Sequence, residues 1–184
     1  MAVKKVLVLF GGVSTEHLIS LRSAFNIIGG LRRAGFKVQP VGITKTGDWL
    51  AYTGPDEAIR DGSWEVQAQL DAAGRSAVAV RSPRDFLCQF YGEDPDVVFP
   101  AVHGINSEDG TLQGLLELSG IPYVGCGVLA SAAGMDKLHA KTVFKAARIP
   151  QCRYLAVNRA DIHRNPQTVA ARIAAKIGFP CFLK

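Results

Sequence analysis

An apolar run at residues 6–10 passes through Gly11-Gly12 into an amphipathic stretch and then into a second apolar run that ends at Ile43. This strand–helix–strand order constrains the fold more than any other feature. Two strands joined through a helix lie side by side as a parallel pair, because the helix carries the chain back to the starting edge. Residues 5–10 read as the first strand, 11–16 as a turn, 20–34 as a helix with Ala24, Ile27, Ile28 and Leu31 on one face, and Lys37–Ile43 as the second strand. Gly35 stops the helix. Residues 44–48 read as a turn and 48–52 as a short edge strand.

A later apolar run, 97–102, leads directly into His103-Gly104 and then Glu108-Asp109-Gly110, with a helix expected at Thr111–Ser119. A strand over 96–101 would deliver these polar groups to the carboxyl edge of a sheet, where open α/β sheets bind ligands. Residues 121–124 read as one more strand, closed by Gly125-Cys126-Gly127. The fold class predicted is α/β, with a doubly wound, mostly parallel sheet ending near residue 125.

The remaining chain is less regular. Within 54–95, residues 76–80 read as a strand and 85–91 as either a helix or a loop. Residues 128–147 predict one or two helices, 154–158 a strand, 161–177 a helix and 180–184 a strand. With 184 residues, the chain has the length of one domain, 1–125, and part of another, 126–184. The last strand stops at Phe182-Leu183-Lys184 with no turn or closing helix after it, so the second domain is expected to be truncated.

Composition narrows the function classes. Hydrophobic residues make up 48% and charged residues 20%, and no run approaches the ~20 apolar residues that span a bilayer. The first apolar run lacks the length and cleavage signature of a signal peptide, so a cytoplasmic protein is expected. Cys88, Cys126, Cys152 and Cys181 stand singly, which excludes paired zinc or redox motifs and predicts reduced packing thiols. The net charge of +5 comes from Lys and Arg spread along the chain, which favours small anions over nucleic acid or membrane as partners.

Three groups of residues carry chemical potential. Gly11-Gly12-Val13-Ser14-Thr15-Glu16-His17 offers a sharp turn before a helix amino terminus. There Glu16 serves either as a first-turn acid or as a receptor for an ammonium group, and Ser14 reads as a helix cap. His103, at a strand's carboxyl end, can hydrogen-bond a substrate carboxylate or hold a neighbouring acid, whereas Glu108 and Asp109 read as acids that open the next helix. Lys137, in Met135-Asp136-Lys137, and Lys184, at the end of an apolar strand, are either surface charges or point charges for phosphate.

Five segments in order then resemble the amino-terminal part of the D-alanine:D-alanine ligases, enzymes of the ATP-grasp superfamily. They are Phe-Gly-Gly-Val-Ser-Thr-Glu-His from 10, His-Gly at 103 with Glu-Asp-Gly-Thr-Leu-Gln-Gly from 108, Pro-Tyr-Val-Gly-Cys-Gly from 122, Ser-Ala-Ala-Gly-Met-Asp-Lys from 131, and Phe-Leu-Lys from 182. The resemblance implies a pre-ATP-grasp domain over 1–125 and the start of an α+β ATP-grasp domain over 126–184. It also implies ATP-dependent joining of two D-alanines through an acylphosphate, for peptidoglycan precursors.

By the same resemblance, Glu16 is the catalytic acid beside the ammonium of the first D-alanine and His103 lies beside that substrate. Lys137 and Lys184 hold the phosphates of ATP. Magnesium ligands fall after Lys184, so no metal ligand is assigned in this chain, and a homodimer is expected. Leu18 replaces a second acid common in the family, and Asn106-Ser107 replace a usual glycine; Ser107 would restrict the loop if it needed positive φ. The 184 residues alone are expected to lack ligase activity. The alternatives are a non-catalytic small-molecule binding module and a different ATP-grasp carbon–nitrogen ligase.

Overall fold

The computed structural model describes residues 3–73 and 81–183. Its sheet begins with β1 (Lys5–Gly11), followed by helix α1 (His17–Arg33), β2 (Lys37–Ile43) and β3 (Trp49–Ala51). Helices α2 (Asp56–Asp61), α3 (Trp64–Ala73) and α4 (Pro83–Tyr91) precede β4 (Val97–Pro100) and α5 (Thr111–Ser119). Helices α6 (Val128–Met135), α7 (Lys137–Ala146), α8 (Arg159–Arg164) and α9 (Pro166–Lys176) complete the series.

The strand order is β3-β2-β1-β4. β1 pairs in parallel with β2, from Lys5 opposite Lys37 to Gly11 opposite Ile43, and in parallel with β4, from Val6 opposite Val97 to Leu9 opposite Pro100. β3 runs antiparallel on the edge of β2. The chain therefore leaves β1 in one direction and returns to its other side, which makes the carboxyl ends of β1 and β4 a topological switch point.

Strand alternation divides β1 between two cores. Val6, Val8 and Phe10 pack with Leu21, Ala24 and Ile28 of α1, Ile59 of α2 and Trp64 of α3, while Leu7 and Leu9 pack on the opposite face with Leu87 of α4 and Leu112 and Leu116 of α5. A strand buried on both faces has to be apolar at every position, hence the unbroken run of residues 6–10. Each such side chain contributes about 1.5–3 kcal/mol by leaving water. Helices on both faces make the sheet doubly wound, as expected.

Several expectations change. The strand expected over 121–124 reduces to one parallel bridge, Val98 to Tyr123, because Pro122 has no N–H to extend a ladder and the Ile121 amide is taken by Ser119 Oγ at 3.1 Å. The helix expected over 161–177 is two helices, broken at Asn165, which precedes Pro166 and caps the second through its side chain at 3.1 Å from the Thr168 amide. Residues 128–147 likewise form two helices, the second capped by Asp136, whose carboxylate accepts from the Leu138 and His139 amides at 2.9 Å each. The strand expected over 76–80 lies outside the described residues.

Residues 85–91 belong to a helix begun by Ser82, whose hydroxyl accepts from the Asp85 amide at 3.1 Å, and by Pro83. No strand is found at 154–158 or among the described residues of 180–184, since an extended segment becomes a strand only by pairing. The chain divides into two compact units, Met1–Met135 and Asp136–Lys184. Helix α6 belongs to the first, past the expected limit at residue 125; a Cβ at Gly110 would lie 3.4 Å from its Ala132 Cβ. No helix among the described residues is long and apolar enough to cross a membrane.

All four cysteines are free thiols, but Cys126, Cys152 and Cys181 are exposed, so they are not packing residues. Cys88 is half-buried and donates to Asp94 Oδ1 at 2.9 Å; burial, followed by this bond, pushes its pKa up to about 11. Thiolate is the nucleophile, so at pH ~8 Cys88 holds about two orders of magnitude less of it than an ordinary thiol with pKa near 8.5. Limited iodoacetamide labelling followed by mass spectrometry is expected to modify Cys126, Cys152 and Cys181 first and Cys88 last; modification of Cys88 alongside the others would contradict this.

Candidate functional site

At the end of β1 the backbone has to turn from the sheet into α1 without touching β2. Gly11 and Gly12 adopt φ of 86° and 103°, and a Cβ at Gly11 would fall on the Ile43 carbonyl oxygen, so only glycine passes here. The turn is held by three buried bonds. The Gly12 amide donates to Ile43 O at 2.8 Å, His17 Nδ1–H donates to Gly12 O at 2.7 Å, and Ser20 Oγ accepts from the Gly11 amide at 2.7 Å. Ser20 also donates to Ala101 O at 2.6 Å, so one hydroxyl ties the end of β1 to the segment after β4.

A second link joins the two loops. Ser14 Oγ donates to His103 O at 2.6 Å and accepts from the Glu16 amide at 3.2 Å, and Gly104, at φ 80°, packs so closely that a Cβ there would lie 3.0 Å from Ser14 Cβ and Oγ. Ser14 is therefore a bridge between loops rather than the helix cap expected of it; Glu16 occupies the cap position of α1. These links bring Glu16, His103 and Glu108 together, with a His103 ring nitrogen and one carboxylate oxygen from each acid within 4.8 Å of one another.

Glu108 is more than a helix-opening acid. Its Oε2 accepts from the Gly104 amide at 2.8 Å and its Oε1 lies 3.7 Å from His103 Nδ1, while Ser23 Oγ of α1 lies 3.1 Å from His103 Nε2. Asp109 does the structural work at the helix start. Its carboxylate accepts from the Asn106 and Thr111 amides at 2.8 and 3.0 Å; burial pushes its pKa up, but these donors outweigh it and hold the group below the usual carboxylate range. Besides Gly104 and Gly110, the left-handed residue of this loop is Asn106, at φ 65°, and not Ser107. Asparagine is among the few L-residues that tolerate that conformation, which accounts for the loop closing without the glycine. Leu18 is 56% exposed.

Glu16 and His103 thus meet as predicted candidates, and Glu108, Ser14 and Ser23 join them. Lys137 stands exposed as the first residue of α7, in the second unit, and Lys184 lies outside the described residues. The Glu16–His103–Glu108 set has the donor types of a cation site, although no metal ligand was expected in this chain. Polar groups gathered at the switch point of a doubly wound sheet stand where α/β domains of this class bind ligands.

Comparison with known proteins narrows that class. A family profile described as "D-ala D-ala ligase N-terminus" matches residues 5–126. The chain is 44% identical to a D-alanine--D-alanine ligase of Ruminiclostridium cellulolyticum, over 100% of this chain and 51% of that protein. It is 46% identical to one of Caldicellulosiruptor bescii, over 98% and 49%. Among solved structures, the D-alanine-D-alanine ligase of Coxiella burnetii superposes with a TM-score of 0.74 at 33% identity, covering 95% of this chain and 50% of that one. The VanG D-Ala:D-Ser ligase of Enterococcus faecalis superposes with a TM-score of 0.71 at 35% identity, covering 96% and 50%. The chain belongs to the D-alanine–D-alanine ligase family through its amino-terminal domain. It spans about half the length of the curated relatives it matches.

Proposed function

We propose that this chain carries the first-substrate subsite of an ATP-dependent D-alanine:D-alanine ligase of peptidoglycan precursor synthesis. The observation that supports it is the meeting of Glu16, His103 and Glu108 at the switch point. An amino acid's ammonium group has three N–H donors, and two carboxylates with an imidazole nitrogen are three acceptors. Two acids this close also repel one another, which a bound cation relieves. Glu16 is the acid that receives the ammonium, and His103 sits beside the substrate.

In this reading ATP supplies the phosphoryl group that turns a carboxylate into an acyl donor. Lys137 and Lys184 would hold its phosphates, with magnesium bound by residues outside this chain. At Lys137 the fit rests on the ammonium, because the first free amides of α7 are already taken by Asp136. The reading carries with it a cytoplasmic homodimer that binds neither nucleic acid nor membrane. The superposition on a D-Ala:D-Ser ligase makes D-serine the competing second substrate.

The test is titration of the 15N-labelled chain with D-alanine. The amide resonances of Glu16 and Gly104 are expected to move on saturation, and Glu16→Gln is expected to weaken binding about tenfold or more, the worth of one charge-assisted contact. Unmoved resonances would refute the subsite, and unchanged affinity in the variant would refute the role of Glu16. No D-alanine-dependent ADP release is expected from the 184 residues alone.

A further inference from the structure

His103 has a side chain from a different element beside each ring nitrogen: the Ser23 hydroxyl, within hydrogen-bond distance of Nε2 at 3.1 Å, and the Glu108 carboxylate, near Nδ1 at 3.7 Å. The two neighbours differ in what they can do. A carboxylate only accepts, so it favours a proton on the nitrogen that faces it; a hydroxyl donates or accepts as its partner requires. The carboxylate is itself held, since its other oxygen accepts from the Gly104 amide at 2.8 Å, and that glycine is the residue next to His103. The side chains of His103 and Glu108 are 30% and 50% exposed, open enough for a ligand to reach the ring.

We infer that Glu108 is a positioning residue for His103: in the neutral ring it places the proton on Nδ1 and leaves Nε2 as an acceptor that meets the Ser23 hydroxyl. Free neutral histidine favours the opposite form, with the proton on Nε2, so the protein reverses an intrinsic preference. The functional consequence is one of sign. A neutral ring in this form has one lone pair at Nε2, which accepts from the Ser23 hydroxyl or, once that hydroxyl turns away, from an N–H or O–H of the ligand, and it cannot donate from that nitrogen to a ligand carboxylate. The inference concerns the proton inventory of the site whatever substrate occupies it, so failure of the D-alanine titration would leave it standing.

The experiment is long-range 1H–15N correlation of the imidazole rings at alkaline pH, which distinguishes the two neutral forms directly. His17 serves as internal reference, because the Gly12 carbonyl can only accept and therefore sets the proton on His17 Nδ1, buried at the start of α1. The His103 signals are identified by their loss in His103→Asn. Wild-type His103 is expected in the Nδ1–H form, with Ser23→Ala retaining it and Glu108→Ala moving it towards Nε2–H while the His17 pattern persists. A wild-type ring in the Nε2–H form would overturn the inference, as would an Nδ1–H ring unmoved by Glu108→Ala. Should that variant lose the His17 pattern and with it the fold, Glu108→Met replaces it, a side chain of similar length with no strong acceptor, with the same direction expected and the same outcome decisive.

Discussion

Replacing Trp64 with alanine is expected to destabilise the first unit by about 3–5 kcal/mol, the range for emptying a large aromatic from a close-packed core. Trp64 is 1% exposed and stands edge-on to Phe10, with ring centroids 4.8 Å apart and planes at 72°, and edge-on to Tyr52 at 6.3 Å and 78°. Its indole also covers Gly42 of β2, where an added Cβ would fall on the ring carbons. Gly42→Ala alone is therefore expected to cost about 1–3 kcal/mol through overpacking. In the double variant the obstructing ring is gone and the new methyl fills part of the space it left. Urea denaturation is expected to show the pair costing less than the sum of the two by about 1 kcal/mol or more, within the range seen for residues in direct contact. Additivity within about 0.5 kcal/mol would show that the two do not share the same space.

This pairing also marks what local pattern cannot carry. Strands β1 and β2 and helix α5 follow from their own residues, because an unbroken apolar run and a 3.6-residue period each report which surfaces are covered. Trp64 lies in a stretch with little apolar periodicity, where Trp64 and Ala68 are the buried residues of α3. The boundary cues of the preceding helix were nevertheless present: Pro55 before Asp56-Glu57, and Gly62 in the left-handed conformation at its end. Pro122 and Pro166 were equally visible as the reasons a strand and a helix would be cut short. A strand at 154–158 depended on a partner, and no pattern within five residues contains one.

The site divides in the same way. Glu16 and His103 are legible because each sits just past an apolar strand, where a doubly wound sheet puts ligands. Glu108 is not, since an acid before a helix has a sufficient local reason to be there; only the position of its carboxylate against Gly104 and His103 separates it from Asp109, which does have that role. Ser14 reaches a residue 89 positions away and Ser23 one 80 away. Such contacts are consequences of β4 lying beside β1 and are invisible until that pairing is known.

Ser20 concentrates that dependence in one atom, and Ser20→Ala is expected to cost about 2–4 kcal/mol. The residue is 0% exposed, and its hydroxyl serves the Gly11 amide at 2.7 Å and the Ala101 carbonyl at 2.6 Å. Alanine leaves both without that partner, and a buried donor or acceptor stripped of its hydrogen bond costs about 1–3 kcal/mol. The two groups belong to opposite sides of the switch point, so the loss loosens the segment carrying Glu16 from the one carrying His103. Faster hydrogen exchange is expected at the Gly11 amide, together with weaker D-alanine binding under conditions where the variant remains folded. Ser23→Ala is the control, because its half-buried hydroxyl meets only the edge of the His103 ring, and it is expected to change stability by less than about 0.5 kcal/mol, as for substitutions away from buried networks. Equal urea midpoints for the two serine variants would show that the hydroxyl at position 20 does not hold the two strand ends together.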